Sequence, residues 1–525
     1  MNETALVVTS EEQRRVDRRA EAAGTPSIQL MESAGNAAAA ILEARFHPQR
    51  TVIIAGRGGN GGDAFVVARA FRRRGLAVVV HHFAPPGNLT GATRQAADAL
   101  LGEAPDAVVA PSSVARLDNA LRDAELIIDG LYGSGLARPL SAADASIVRR
   151  INAAAAPTAS LDVPSGLSAD TGRLIGPAVA ATATVAMQFL KPVHLERPGR
   201  ALCGEVLVAP VAYGSDILAE VRALGRVLLP AGARSWLPHR AANGHKGTFG
   251  RVLVVAGSAG LSGAAILCCR GALRAGAGLV FLAAPRSLSP VLEISLPEAI
   301  NIPLTDRGGR ITPRATRHLR TAMRQADVLA IGPGLSRGEG VFRVVRSVVR
   351  AASVPVVIDA DALLAFRAQR DLLRGGSFPR VLTPHPGELS RLLDRSVEEI
   401  AIQRAELARQ IAKDLGVTLL LKGHPTAVAW ESGEVYLNPT GNTALGTGGS
   451  GDLLTGIIAG LIAGGAVPSR AAVLAAYVHG LAADRLAAGQ AERSILPTDL
   501  DRELPATFRQ VESPAAGPRQ EEAPT

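Results

Sequence analysis

The chain has 525 residues, 47% of them apolar and 20% charged, with a formal net charge of +9. That length exceeds one ordinary core and predicts two domains, while no charge-free run reaches the roughly 20 strongly apolar residues of a membrane span. The first ten residues lack a basic-then-apolar leader, and Cys203, Cys268 and Cys269 form neither a disulfide framework nor a zinc pattern, so a cytoplasmic, reducing compartment is expected. The basic residues are scattered without an aromatic platform, which disfavours nucleic acid and favours small acidic molecules or simple arginine enrichment. Only four lysines, Lys191, Lys246, Lys413 and Lys422, stand among the many arginines, and such a lysine can mark a place that needs a compact point charge.

Residues 10–20 read as a polar helix start, and residues 28–42 as a helix of small residues. Its alanines at 37–40 would permit close association, including in a homo-oligomer. Residues 51–55 then form a short strand, followed by the glycine loop GRGGNGGD at 56–63 and a helix at 64–74. Strand, glycine loop and helix in that order place phosphates on a helix N-terminus in an open parallel sheet. A plain NAD dehydrogenase is disfavoured, because His81 and His82 stand where an acidic residue should end the second strand. The layout recurs twice: a strand at 126–128 ends in Asp129 before the loop LYGSGLARP, and a strand at 158–161 ends in Asp162, followed by Val163, Pro164, Ser165 and Gly166. Taken singly these are ordinary turns. Together they carry polar groups to the edge of the sheet where such folds bind ligands.

The segments GRGGNGGD, DGLYGSGL and LDVPSGLSADTG closely resemble the NAD(P)H-hydrate epimerase family, over about residues 9–215, and ATATVAMQFLKPVHL continues the likeness. The resemblance implies a Rossmann-like three-layer α/β/α sandwich. It implies that Gly59, Asn60, Gly61, Gly62 and Asp63, with Gly133, Ser134, Gly135, Leu136, Ala137, Arg138 and Pro139, bind the hydrated nicotinamide nucleotide. Asn60, Asp129 and Ser165 would coordinate potassium, and Asp162 would be the acid/base in contact with substrate. Gly59 departs from the family, where asparagine is usual. Inverting the hydroxyl-bearing carbon requires water to leave and return, or the ring to open, through an iminium-like species that a nearby carboxylate can serve.

Periodicity fades after residue 210, and a junction at 223–240 is expected to separate residues 1–222 from a second domain at 241–505. There a strand at 251–255 leads through a flexible loop to a small-residue helix at 264–275. Further βα units follow: IGPGL, then PVVIDADAL with Asp359 and Asp361 at a strand end, then VLTPHPGEL. Glu388 and the two aspartates could hold water-coordinated magnesium; helix capping is the alternative for Asp359 or Asp361. His385, between Pro384 and Pro386, is either an aimed ring or a plain turn residue. Lys422, Gly423, His424, Pro425 and Thr426 make a cationic loop suited to phosphates, with a solvated lysine as the bland alternative.

The stretch TALGTGGSGDLLTGIIAG at 443–460 runs a glycine loop into an apolar helix whose one charge is Asp452. Its amides and helix dipole form an anion cradle. A carboxylate beside bound phosphate requires a metal or a proton-transfer role. His479 and Asp484, on a helix at 471–486, read as structural; 496–500 reads as a final capped turn, and 506–525 as a disordered tail.

GTGGSGD resembles the ribokinase-like superfamily. With HKGTFG, IGPGL, DADAL, TPHPGE and LKGHPT before it in order, it closely resembles the ADP- or ATP-dependent NAD(P)H-hydrate dehydratase family over about residues 240–500. The resemblance implies a ribokinase-like α/β/α domain. Ala264, Gly334, His385 and Asp452 would contact the hydrated substrate, and Lys422 to Thr426 with Gly451 the adenine nucleotide. Thr248 stands where an acidic residue is common. The expected protein is a bifunctional repair enzyme that epimerises R- and S-NAD(P)H hydrate and dehydrates the S form at the expense of ADP or ATP, with ADP favoured. It would use potassium in the first domain and magnesium in the second. The open alternative is a vitamin-precursor kinase fused to a non-catalytic nucleotide-binding scaffold.

Overall fold

Seven strands of the first half pair in the order Val108–Val109, Ala77–His82, Arg50–Ala55, Leu126–Gly130, Thr158–Leu161, Ala183–Met187, Glu205–Ala209, all of them parallel. The strands alternate between two cores, as the period of 2 demands. Ile53 and Ile128 pack with Leu42, Phe65, Phe71 and Leu100 from the helices Ser27–Phe46, Gly59–Arg73 and Gly91–Glu103. Val52, Ile54 and Ile127 pack on the other face with Leu117, Ile147 and Ile151. Apolar residues on both faces explain why these strands are continuous Val, Ile and Leu runs.

This is a computed structural model; it describes residues 3–83, 86–374 and 376–513. The chain divides into the unit Ala5–Leu224 and a second unit from Gly225 that also takes in Glu3 and Thr4.

The second unit's sheet runs Gly225–Leu228, Val435–Leu437, Ala427–Ala429, Thr418–Leu421, Arg380–Leu382, Val356–Ile358, Val328–Ile331, Arg251–Val255, Leu279–Pro285, Ile300–Leu304. The hairpin strands Ala427–Ala429 and Val435–Leu437 bring antiparallel pairing at one side, and from Thr418–Leu421 to Ile300–Leu304 all pairs are parallel. Val252 and Val254 meet the helices Ser262–Arg274, Ser450–Ala463, Pro468–Ala487 and Pro497–Glu512 in one core. The first two of these helices cross so closely that a Cβ on Gly456 would lie 1.9 Å from the Cys268 carbonyl oxygen, which is why both are built of small residues. Among the described residues, no helix is long and apolar enough to cross a membrane.

Both glycine motifs are further inside helices than their composition suggests. The first helix begins at Gly59, not at residue 64, and the other at Ser450, so Asp63 lies inside its helix, past the first turn, and Asp452 occupies a first-turn position. The end of the chain also differs from expectation. Residues 496–500 open the helix Pro497–Glu512, in which Leu500, Leu504, Phe508 and Val511 recur at helical spacing and are buried. Proline and polar neighbours mask that stripe in a composition average; the rest of the expected disordered tail, 514–525, lies outside the described residues.

Candidate active sites

The first unit holds a cavity of about 1030 Å³ at the carboxyl edge of its sheet, lined among others by Arg57, Gly59, Asn60, Asp63, Arg138, Asp162 and Lys191. Asp162 follows the strand Thr158–Leu161 with φ at 60°, a backbone region that costs a non-glycine residue about 1–3 kcal/mol. Fixed partners hold it there. Its N–H donates to the Val185 carbonyl at 2.8 Å, Lys191 Nζ donates to Oδ1 at 2.5 Å, and the Ser134 N–H donates to Oδ2 at 3.0 Å. Burial pushes its carboxyl up, but the Lys191 ammonium and these hydrogen bonds outweigh that, so Asp162 is held below the usual carboxylate range.

Two further carboxyls face the same region. Asp63 is pushed well up by burial and by the charges of Asp162 and Asp17, and Asp17, also raised by burial, accepts hydrogen bonds from Tyr213 Oη at 2.5 Å and Gln13 Nε2 at 3.1 Å. One carboxylate held low beside two raised by burial is an arrangement able to give and take protons around one bound ring.

Beneath the glycine loop, the buried Asp129 accepts four hydrogen bonds, from Ser160 Oγ at 2.9 Å, Ser165 N at 2.9 Å, Ser165 Oγ at 2.6 Å and Leu131 N at 3.3 Å. Ser165 Oγ in turn accepts the Tyr132 N–H at 2.9 Å. Asn60 is different: both polar atoms of its side chain are buried without a partner among the described residues. A Cβ on Gly133 would sit 3.1 Å from Asn60 Cγ and 3.1 Å from Asp162 Oδ2, so a side chain there would crowd both groups.

Of the thirteen substrate positions expected from sequence, nine line the cavity; Gly61, Gly62, Ala137 and Pro139 do not. Gly61 packs inward, where an added Cβ would come 2.0 Å from the Gly56 carbonyl oxygen. At Gly59 an added Cβ meets nothing within 4 Å, so the departure there does not reflect crowding.

In the second unit, Asp359 is buried at the end of the strand Val356–Ile358, with Oδ1 accepting from Lys422 Nζ at 2.9 Å and Oδ2 from Thr455 Oγ1 at 2.7 Å. It caps no helix: Ala360 occupies the cap position before the turn Asp361–Leu364, without a side-chain bond. Asp361 instead pairs with Arg337 Nε at 3.0 Å. Lys422 Nζ also lies 3.9 Å from Glu388 Oε2 and packs against Gly451, whose added Cβ would be 3.1 Å away.

Asp452 stands in the first turn of Ser450–Ala463, where burial and then the Asp359 charge raise its carboxyl to about 7, against the opposing pull of Lys422. Glu388 is likewise raised by burial. His385 is the cap of the helix Pro386–Leu393: its Nδ1 accepts the Gly387 N–H at 3.0 Å, and its own N–H donates to Glu388 Oε2 at 2.8 Å. The cap thus fixes which ring nitrogen points outward.

Thr426 Oγ1 donates to the Gly423 carbonyl at 2.9 Å and Arg404 to the Pro425 carbonyl at 3.0 Å, closing the turn after Lys422. Ala264 and Gly334 adjoin one another, with 2.9 Å from an added Gly334 Cβ to the Ala264 Cβ; no hydrogen bond among the described residues links them to the Asp452 cluster. Asp484 accepts from Gly441 N and Asn442 Nδ2, at 2.8 and 3.0 Å, and so anchors the approach to the glycine loop.

Comparison with known proteins gives these two sites a common context. A family model described as NAD(P)H-hydrate dehydratase matches residues 252–506, and one described as YjeF-related protein N-terminus matches residues 27–193. The bifunctional NAD(P)H-hydrate repair enzyme Nnr of Moorella thermoacetica is 40% identical over 514 residues, spanning 96% of this chain and 97% of that one. The chain belongs to the bifunctional NAD(P)H-hydrate repair enzyme family. The Nnr of Thermofilum pendens is 34% identical over 94% of each chain. A solved structure of the ADP/ATP-dependent NAD(P)H-hydrate dehydratase of Bacillus subtilis, co-crystallised with ATP and magnesium, is 34% identical; it covers 55% of this chain and 98% of that one with a TM-score of 0.49.

Within this repair-enzyme chain, sequence reasoning missed Lys191 and His194 as neighbours of Asp162, and Gln13, Asp17 and Tyr213 across the cavity. The scarcity of lysine was the one available signal, and it applies to both Lys191 and Lys422. Gln13, Asp17 and Tyr213 lie outside the residues matched by the amino-terminal family model. Thr455, one turn after Asp452, carries no motif and was equally hidden.

Proposed function

We propose that the unit Ala5–Leu224 interconverts the R and S hydrates of NADH and NADPH, and that the unit from Gly225 removes water from the S hydrate with an adenine nucleotide, restoring the reduced coenzyme. One observation carries this reading. Each unit sets an aspartate near a lysine, the buried Lys191 in the first and the half-buried Lys422 in the second, yet Asp162 is held ionised while Asp452 is poised at about 7.

In the first site, Arg57 and Arg138 line the cavity with the glycine loops and suit the diphosphate, while Asp17, Asp63 and Asp162 suit a ring that becomes cationic. Asp63, favouring its proton, protonates the departing hydroxyl; Asp162 as carboxylate steadies the iminium and deprotonates the water that returns to the other face. Potassium suits the Asn60 amide, which has no partner among the described residues, with Asp129 and Ser165 completing the expected ligand set. Bound there, it would supply a fixed positive charge that orders the two loops, with Asp162 left to the chemistry.

In the second site, Asp452 takes the proton of the ring hydroxyl as that oxygen attacks the terminal phosphoryl group of the nucleotide. The amides at the start of Ser450–Ala463 and the Lys422 ammonium balance the developing charge. Glu388 Oε1, whose one nearby partner among the described residues is His385 Nε2 at 3.5 Å, is the oxygen placed to accept from a magnesium-bound water. Phosphate then leaves with its oxygen as the ring nitrogen lone pair pushes, and loss of the adjacent proton restores the dihydropyridine. With ADP, the donor favoured by the family resemblance, the coproducts are AMP and phosphate.

The test supplies mixed R and S hydrates with potassium, magnesium and either ADP or ATP, and follows reduced-nicotinamide absorbance. Conversion of both epimers is expected. Conversion of half the mixture would remove the epimerase reading, and a stable phosphorylated product without NADH would favour a small-molecule kinase.

A further inference from the structure

Asp162 is clamped by a second set of atoms. His194 Nδ1 accepts the Lys191 N–H at 3.0 Å, so its Nε2 carries the proton and donates to the Asp162 main-chain oxygen at 2.8 Å. One imidazole therefore spans the two residues that form the ion pair. Lys191 is 1% exposed, and its ammonium also donates to the Phe189 carbonyl at 3.3 Å. A lysine so buried, with a carboxylate as its partner, does no solvation work at the surface.

We propose that Lys191 and His194 are positioning residues of epimerisation: the ammonium clamps and aims the Asp162 side chain, and the imidazole holds its main chain in the left-handed turn that delivers it to the cavity. The proposal rests on the epimerase reading above and adds what makes Asp162 usable. The groups facing Asp162 are Lys191 and His194 on the segment after Ala183–Met187, Asp63 on Gly59–Arg73 and Asp17 on Ser10–Ala22, the last held by Tyr213. Burial and then the Lys191 charge keep the His194 ring neutral, down to about 4, as its one-donor, one-acceptor role requires.

With Lys191 present, its charge and hydrogen bond outweigh burial and Asp162 stays low. Without it, burial and the Asp63 and Asp17 carboxyls act alone and push Asp162 up, so its carboxylate is lost at a higher pH. The experiment measures R-to-S epimerisation by the full-length protein from pH 5.5 to 8.5. Wild type should show no acid limb in that window, and Lys191→Met should fall by about 100-fold in kcat with little change in KM, its residual rate climbing with pH. Lys191→Arg keeps the charge and should likewise show no acid limb, at reduced rate. His194→Leu should lower kcat without bringing an acid limb, because it moves the main chain without removing the charge.

A Lys191→Met profile parallel to wild type would overturn the proposal. If that variant turns over too slowly to measure, carboxyl 13C NMR of aspartate-labelled protein replaces turnover: a titration moved upward by Lys191→Met and absent in the Lys191→Met, Asp162→Asn pair supports it, and an unmoved titration overturns it. Failure of the wild-type protein to epimerise would refute the epimerase reading instead, and the NMR comparison would still decide the clamp.

Discussion

Asp452 offers a quantitative check on the dehydratase site. Its carboxyl is raised to about 7, first by burial and then by the Asp359 charge, while Lys422 opposes. A base must be ionised to act, so kcat/KM for the S hydrate at saturating nucleotide should fall as pH drops through that value. It should reach about a tenth of its plateau one unit below and about a hundredth two units below. Asp452→Asn should lower the plateau by about 10²–10⁴-fold, or about 3–5 kcal/mol of barrier, and abolish the limb. Asp359→Asn should keep a limb but move it to lower pH, because a raising charge is gone and the Lys422 ammonium no longer has its nearest partner. The assay is reduced-nicotinamide absorbance with ADP or ATP. A flat profile between pH 5.5 and 8.5, or a limb that does not move in Asp359→Asn, would refute the assignment of Asp452 as base.

Gly61→Ala should cripple epimerisation while sparing dehydration of pure S hydrate, since the new methyl would collide with the Gly56 carbonyl oxygen at 2.0 Å, an overpacking cost of about 1–3 kcal/mol or more that backbone cannot relieve by rotamer change. Comparable epimerase rates in the variant would contradict it. Phe508→Ala should destabilise the second unit by about 3–5 kcal/mol, visible as a lower midpoint for loss of dehydratase activity on heating; an unchanged midpoint would mean that the final helix is dispensable.

The parts legible in the sequence are those where chemistry and spacing coincide along the chain. The strand before GRGGNGGD, the strand ends at Asp129 and Asp162, and the glycine run before Asp452 all advertise themselves locally, because a tight strand-to-helix passage needs specific residues at adjacent positions. What escaped lies across long separations. Lys191 is 29 residues from Asp162 and Tyr213 is 196 from Asp17, and no periodicity links such pairs before the sheet forms. The Asp359, Lys422 and Thr455 network is of the same kind, assembled from two strand ends and a helix. The helix start at Gly59 is hidden for a different reason: glycine has poor helix propensity, yet at Gly61 close packing against backbone overrides it.

The earliest described residues belong to the unit made last. The Glu3 carbonyl accepts the Leu229 N–H at 3.0 Å, and its carboxylate takes Ser235 Oγ at 2.7 Å and Trp236 Nε1 at 3.2 Å. During synthesis those acceptors wait for more than two hundred residues before their donors exist. Cutting a gene at the codon for Gly225 therefore yields a dehydratase fragment lacking an intrinsic piece, and a circular permutant that carries this opening segment at its far end would be the sounder way to isolate that activity.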